Sequence, residues 1–273
     1  MSSFRASFAL ALLLVFPLVT GAQQQQSSRP RSGWPCGGRL DPSYFQVAEG
    51  TGGQLFLLAP EEVGDSAPLL MAASSHPHTI FRLAGTIPPG PHDFRVAIDP
   101  SVESVVFSVS VQCLQVAEIL RPSGEPAAGD RVTDLSNFRA ERMVIVTKPE
   151  PGLWTIRVAG SGVAGVVVQA KSALALATTF APAGTTTFGP VPRAGVENIV
   201  RIRLGGRTTE TRAWMMSGGY ERIGELRLAA GESEGEFVSR FMPDGNGFRV
   251  LVTGQDANGV AFQRMTASLI NGH

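Results

Sequence analysis

The chain has only two cysteines, Cys36 and Cys113, and no net charge, because 23 basic side chains balance 23 acidic ones. Two cysteines permit at most one intrachain bridge. Zero net charge leaves no electrostatic footprint for nucleic acid or for an anionic membrane. Charged residues make up 17% of the chain, below the roughly 25% typical of soluble domains. No asparagine stands in an N-x-Ser/Thr sequon, so N-glycosylation is not expected. Beyond the first 22 residues no apolar run is long enough to span a bilayer. The sequence offers no nucleophile, base and orienting group at a readable spacing, which argues against an enzyme.

What the chain does have is punctuation. Its 31 glycines and 19 prolines fall between apolar runs rather than in repeats, as in a β-protein with many turns. The hydrophobic fraction of 43% suffices for real cores. The length suits two domains of about 100 residues each plus smaller pieces. Residues 1–22 read as a secretory signal peptide, with Arg5 as the positive end, 8–19 as the apolar centre and Thr20-Gly21-Ala22 as the cleavage site. The expected location is therefore secreted and extracellular, or periplasmic in a bacterial source. In that oxidising setting Cys36 and Cys113 are expected to pair, tying the N-terminal segment to the first sandwich. The alternative is two separate buried thiols. Residues 23–35 are a polar stretch read as a flexible linker.

Taken in order, Asp41-Pro42 opens a helix, with Asp as N-cap and Pro at the first helical position. A short strand is expected over 54–58. A second helix is expected through Glu61 and Glu62 toward Met71, broken near Pro68. From His76 the pattern turns to β. Val105, Phe107, Val109 and Val111 alternate with polar or smaller residues, the cleanest period of two in the chain. After a polar loop over 121–137, the stretch 148–160 (K-P-E-P-G-L-W-T-I-R-V-A-G) places Trp154, Ile156 and Val158 on one face. These three are expected core residues. The segment 163–169 is expected to fold back across Gly160-Ser161-Gly162. A second run of about seven strands follows from Ser172. It includes a hairpin at Asp256-Ala257-Asn258-Gly259, where Asn-Gly supplies positive φ.

Several motifs read as structure rather than chemistry. Gly160 to Gly165 matches G-x-G-x-x-G, but a strand follows it and no acid comes before Glu197, so it reads as a glycine turn. Gly231-Glu232-Ser233-Glu234-Gly235 matches G-x-S-x-G, but two glutamates flank the serine and only His273 lies downstream. His76, His78 and His92 lack a carboxylate or thiolate partner for zinc, and His76 and His78, on either side of Pro77, read as surface residues. Asp130 and Asp134, in the polar loop, are the candidate calcium ligands.

P-G-L-W-T-I-R-V-A-G, the following Ser172 and the late run G-F-R-V-L-V-T-G-Q-D-A-N-G-V-A-F-Q-R resemble the hemicentins. They are also similar to related extracellular proteins carrying a von Willebrand factor A domain. Asp99-Pro100-Ser101-Val102-Glu103-Ser104 resembles the middle of the galactose-binding-like sandwich in those proteins. Residues 44–56 resemble the last helix and strand of an A domain. The resemblance implies a matrix or adhesion role and no catalysis. It carries no metal-dependent adhesion site, because residues 99–103 are not the D-x-S-x-S motif. "Galactose-binding-like" names a fold and does not by itself imply a sugar ligand.

The expected fold is mainly β: two tandem β-sandwiches, a galactose-binding-like jelly roll and then an immunoglobulin-like unit, after a small α/β segment. The expected divisions are signal peptide 1–22, linker 23–35, A-domain-tail-like segment 36–75, first sandwich 76–172 and second sandwich 173–270. The expected function is a secreted, non-enzymatic interaction or structural protein that binds an extracellular protein or glycan and has no cofactor. The alternative is a calcium-assisted glycan- or ligand-binding module using loops of the first sandwich.

Overall fold

The computed structural model of the chain describes residues 36, 38, 40–135, 137–243 and 245–272. The expected signal peptide, the linker with its Trp34, and His273 lie outside the described residues. The chain is mainly β, built of antiparallel sheets.

Helix α1 (Pro42–Thr51) starts as its sequence dictates: the Asp41 carboxylate accepts from Ser43 N at 2.9 Å. It ends at Gly52, in the left-handed region at φ +73°, where an added Cβ would lie 2.9 Å from Ala267 Cβ. Two demands, conformation and space, thus coincide on one glycine. The strand expected over 54–58 does not form. That segment joins no ladder, and Leu57 N donates to Ser110 Oγ at 3.0 Å instead. A 3₁₀ turn (Pro60–Asp65) and helix α2 (Ala67–Ser74) follow. The break between them falls at Ser66. Pro68 sits in the first turn of α2, so it starts the helix instead of breaking it.

Six strands make the first sheet: β1 (His78–Ile98), β2 (Val102–Val111), β3 (Val116–Leu120), β4 (Val132–Leu135), β5 (Glu141–Thr147) and β6 (Gly152–Ser172). The order is β1-β6-β2-β5-β4, and β3 also pairs with β6. β1 and β6 are each 21 residues long and pair along nearly their whole length, with register breaks between Thr79 and Phe81 and between Ile87 and Gly90. The early half of β6 pairs with β3 and the late half with β2. One bent ribbon therefore contributes to two layers.

The bend corrects the expected fold-back at Gly160-Ser161-Gly162, because the chain runs on through these residues in one strand. An added Cβ at Gly160 would sit 2.7 Å from Cys113 O, and Gly162 has φ +90°, so glycine makes the bend possible without making a turn. Between the layers Val105, Phe107, Val109 and Val111 meet Trp154, Ile156 and Val158, all at 1% exposure or less. The Phe107 and Trp154 rings stack at 5.4 Å, and Trp154 Nε1 donates to Glu150 O at 3.0 Å. Cys36 and Cys113 are joined by a disulfide. The helical segment covers the sheet's other face, with Leu58, Leu69 and Ala72 on Val106 and Met143.

Eight further strands follow: β7 (Leu176–Pro182), β8 (Asn198–Leu204), β9 (Thr208–Met216), β10 (Arg222–Leu226), β11 (Ala229–Ala230), β12 (Glu236–Phe241), β13 (Arg249–Asp256) and β14 (Ala261–Met265). They form two four-stranded sheets, β10-β9-β13-β14 and β11-β12-β8-β7. Phe180, Phe241 and Phe248 meet edge to face in the core, with Val200, Ile202, Val250 and Val252 around them. At the 256–259 turn only Gly259 takes positive φ, and Asn258 does not. The Asp256 carboxylate accepts from Asn258 N and Val260 N, each at 2.8 Å. A side-chain cap thus replaces the Asn-Gly geometry expected from the sequence.

Glu141, at the start of β5, is fully buried beside Ser108, whose hydroxyl donates to it at 2.8 Å. Burial pushes its carboxyl up to about 8 from the ordinary 4.5, and the bonds from Ser110 and Ser108 offset only part of that. Between those two values the unfolded chain releases this proton and the folded chain keeps it, so stability falls as pH rises. At pH 7 the penalty is on the order of 3 kcal/mol. Glu141→Gln is expected to be more stable than the parent at pH 7 and to match it near pH 4. Urea unfolding across that range checks this; an unchanged pH slope in the variant would refute it.

Candidate functional site

The residues singled out in the sequence do not assemble into a reaction centre. Asp134 pairs with Arg142 at 2.7 Å, which spends its charge inside the sheet edge, and Asp130 is an exposed loop residue. Among the described residues no group of three or more His, Cys, Asp or Glu side chains is placed to hold a metal. His76 is buried, correcting its reading as a surface residue. Its Nδ1 lies 2.9 Å from Ala72 O and its Nε2 2.9 Å from Ser104 Oγ. His92 Nε2 lies 2.9 Å from Pro88 O. Ser233 sits in the turn between β11 and β12, where Glu236 N donates to its carbonyl at 3.0 Å and a strand follows. Glu234 beside it pairs with Arg207. Trp154, Ile156 and Val158 are core and present nothing to solvent.

The concentrated polar chemistry lies where the two sandwiches meet, at residues of which the sequence marked several for a family resemblance but none as a site. Glu49 of α1 is buried, and its carboxylate faces two guanidinium groups. Arg82 of β1 donates through Nε at 3.0 Å and Nη2 at 2.9 Å to Oε1. Arg249 of β13 donates through Nη2 to Oε2. Arg82 also donates to the carbonyls of Ala48 at 3.3 Å, Gly52 at 3.0 Å and Gly53, which closes the C-terminal end of α1. Burial holds the Arg82 guanidinium below its ordinary value and Glu49 opposes that; an arginine so placed stays charged.

A second buried pair spans the same junction. Arg264 of β14 is 2.7 Å from the Asp99 carboxylate, and both side chains are fully buried. Its remaining donors go to Leu174 O at 2.7 Å, Gln263 O at 2.7 Å, Ser172 Oγ at 2.7 Å and Ser101 Oγ at 3.1 Å. Gln263 Nε2 donates to Ile80 O at 3.0 Å, Ala84 N to Gly218 O at 2.9 Å and Leu269 N to Glu49 O at 2.8 Å. Tyr220, a non-glycine residue at φ +67°, puts its ring 4.4 Å from Phe81. Holding a tyrosine in that region costs about 1 kcal/mol or more; its packing on Phe81 across the junction, and the bond its hydroxyl accepts from Gln263 Nε2 at 3.3 Å within the second sandwich, offset this.

Residues 82–173 match the family model of the hemicentin galactose-binding domain-like region. The match begins at Arg82 of the junction and covers nearly all of the first sheet. The chain is 25% identical to mouse hemicentin-1 over 236 residues, 82% of this chain and 4% of the relative. It is 30% identical to mouse hemicentin-2 over 132 residues, 46% of this chain and 3% of the relative. The protein is thus a β-sandwich protein with a galactose-binding-like region. More narrowly, the chain is similar to the hemicentins, and it spans only about 4% of the length of hemicentin-1. A crystal structure of Bacillus licheniformis lipase BlEst2 in propeptide form aligns at a TM-score of 0.32 and 10% identity, over 69% of this chain and 40% of that one. A likeness that small says nothing about activity.

Removing one partner from a buried pair leaves an uncompensated charge, at about 3–5 kcal/mol. Glu49→Ala strands two arginines at once. It is expected to destabilise the protein by at least that much and to split one cooperative unfolding transition into two as the sandwiches lose their coupling. Calorimetry of the variant checks both; a single transition within about 1 kcal/mol of the parent would show that the junction does not depend on Glu49.

Proposed function

We propose that this is a secreted, non-enzymatic interaction protein of the extracellular-matrix or adhesion type, acting through the surfaces of its two sandwiches. The divisions proposed are an A-domain-tail-like piece over 36–75, a galactose-binding-like sandwich over 76–172 and an immunoglobulin-like sandwich over 173–270. Similarity to hemicentins along most of the chain supports the reading. The observation that carries it is the junction. Its buried charges are spent on fixing the orientation of two modules, as suits a rigid presenter of surfaces. No helix among the described residues is long and apolar enough to cross a membrane.

Binding of residues 23–273 to immobilised matrix proteins and glycans, with and without calcium chelation, tests this. A matrix-protein signal insensitive to chelation is expected. A glycan signal lost on chelation, and lost again on Asp134→Asn, would replace it with the calcium-assisted module that uses the loop of Asp130 and Asp134. Silence across the panel would overturn both.

A further inference from the structure

A cleft of about 320 Å³ opens between the sandwiches, near the small end of the roughly 300–1,000 Å³ usual for ligand sites. His78 and Thr79 of β1 line one side, and Leu176, Thr178 and Pro190 line the other. Thr79 is 4% exposed and its hydroxyl has no hydrogen-bond partner among the described residues. A buried hydroxyl left in that state is costly, and a bound group would relieve it. No acid lines the cleft, and its one cation, Arg264, is already committed to Asp99, two serines and two carbonyls.

β7 is the last strand of its sheet. On the side away from β8, Phe180 exchanges two backbone bonds with Gly189, each at 2.8 Å. In an antiparallel strand, residues two apart point their N–H and C=O groups the same way. Thr178 and Leu176 therefore turn theirs to the open edge, and both residues line the cleft. An open edge inside a groove is a template for one more strand.

We propose that this cleft captures a short extended, uncharged segment of a partner protein, which pairs with the β7 edge at Leu176 and Thr178 and hydrogen-bonds Thr79. Main-chain pairing would supply affinity. The apolar side chains of Leu176 and Pro190 and the absence of any uncommitted charge would favour small, hydroxylated or aliphatic residues. This rests on the interaction-protein reading and gives it a site.

The test uses an array of uncharged peptides of about ten residues, built from Ser, Thr, Val, Leu and Gly, beside the matrix-protein panel. The wild-type protein is expected to capture a subset of the peptides. Thr178→Pro, which removes an edge N–H at a position where proline is tolerated, is expected to weaken capture about tenfold or more. Thr178→Val, which keeps the N–H and loses the hydroxyl, is expected to stay within about twofold. Amide exchange on the wild-type protein gives a readout that needs no variant: Leu176 and Thr178 amides should slow when peptide binds. No captured peptide, capture that survives in a folded Thr178→Pro protein, or unchanged exchange at both amides would overturn the proposal. If matrix proteins still bind in that event, the interaction reading stands without this site; if nothing binds, both fall.

Discussion

Glu49 sits where three parts of the chain meet, and its one carboxylate answers two guanidinium groups that come from separate sandwiches. Arg82 is 33 residues away and Arg249 is 200 away. Burying three charges together costs several kcal/mol per ion before any attraction is counted. The cost is tolerable because every guanidinium nitrogen except Arg249 Nη1 finds an acceptor: the carboxylate, the end carbonyls of α1, and Ala267 O at 3.2 Å from Arg249 Nε. A hydrophobic patch of similar area would hold the sandwiches together with more slip, since burial is non-directional. Fork-shaped donors on a single carboxylate admit one geometry.

The same logic explains why the small helical segment exists. On its own it is too short to bury a core. Here its apolar residues cover the outer face of the first sheet, its C-terminal carbonyls receive Arg82, and Glu62 ties its 3₁₀ turn to Arg139 N at 2.9 Å. Asp99 and Arg264 repeat the device between the same two sandwiches, so rotation at the junction would break this buried pair as well.

Much of the fold was legible because half-buried strands must alternate. Val105 to Val111 and Trp154 to Val158 announce their core faces, and the Asp41-Pro42 start of α1 is a local signal with a local cause. What misled was punctuation. Gly160 and Gly162 read as a turn because glycine serves turns and bends equally, and only Cys113 O, distant in sequence, decides between them. Strand β4 lay hidden in a polar stretch because an edge strand with both faces partly wet needs no apolar alternation. The junction was not legible as a site. Its one trace is arginine where the pattern is apolar on both faces: Arg82 between Phe81 and Leu83, Arg249 between Phe248 and Val250. That pattern says a charge is buried; it does not name the partner, because the partner is set by tertiary contact.

The junction also bears on what the molecule can recognise. Both walls of the cleft beside Arg264 belong to elements that the buried pairs hold in place, His78 and Thr79 on one side and Leu176 and Thr178 on the other. Two sandwiches on a flexible tether would have to be brought together by the ligand, and the ordering would be subtracted from its affinity. Locked sandwiches present the groove with that entropy already lost during folding. The buried charges, which are neutral or costly as a source of stability, then have a physical reason to persist: they set the width of a surface that belongs to neither sandwich alone.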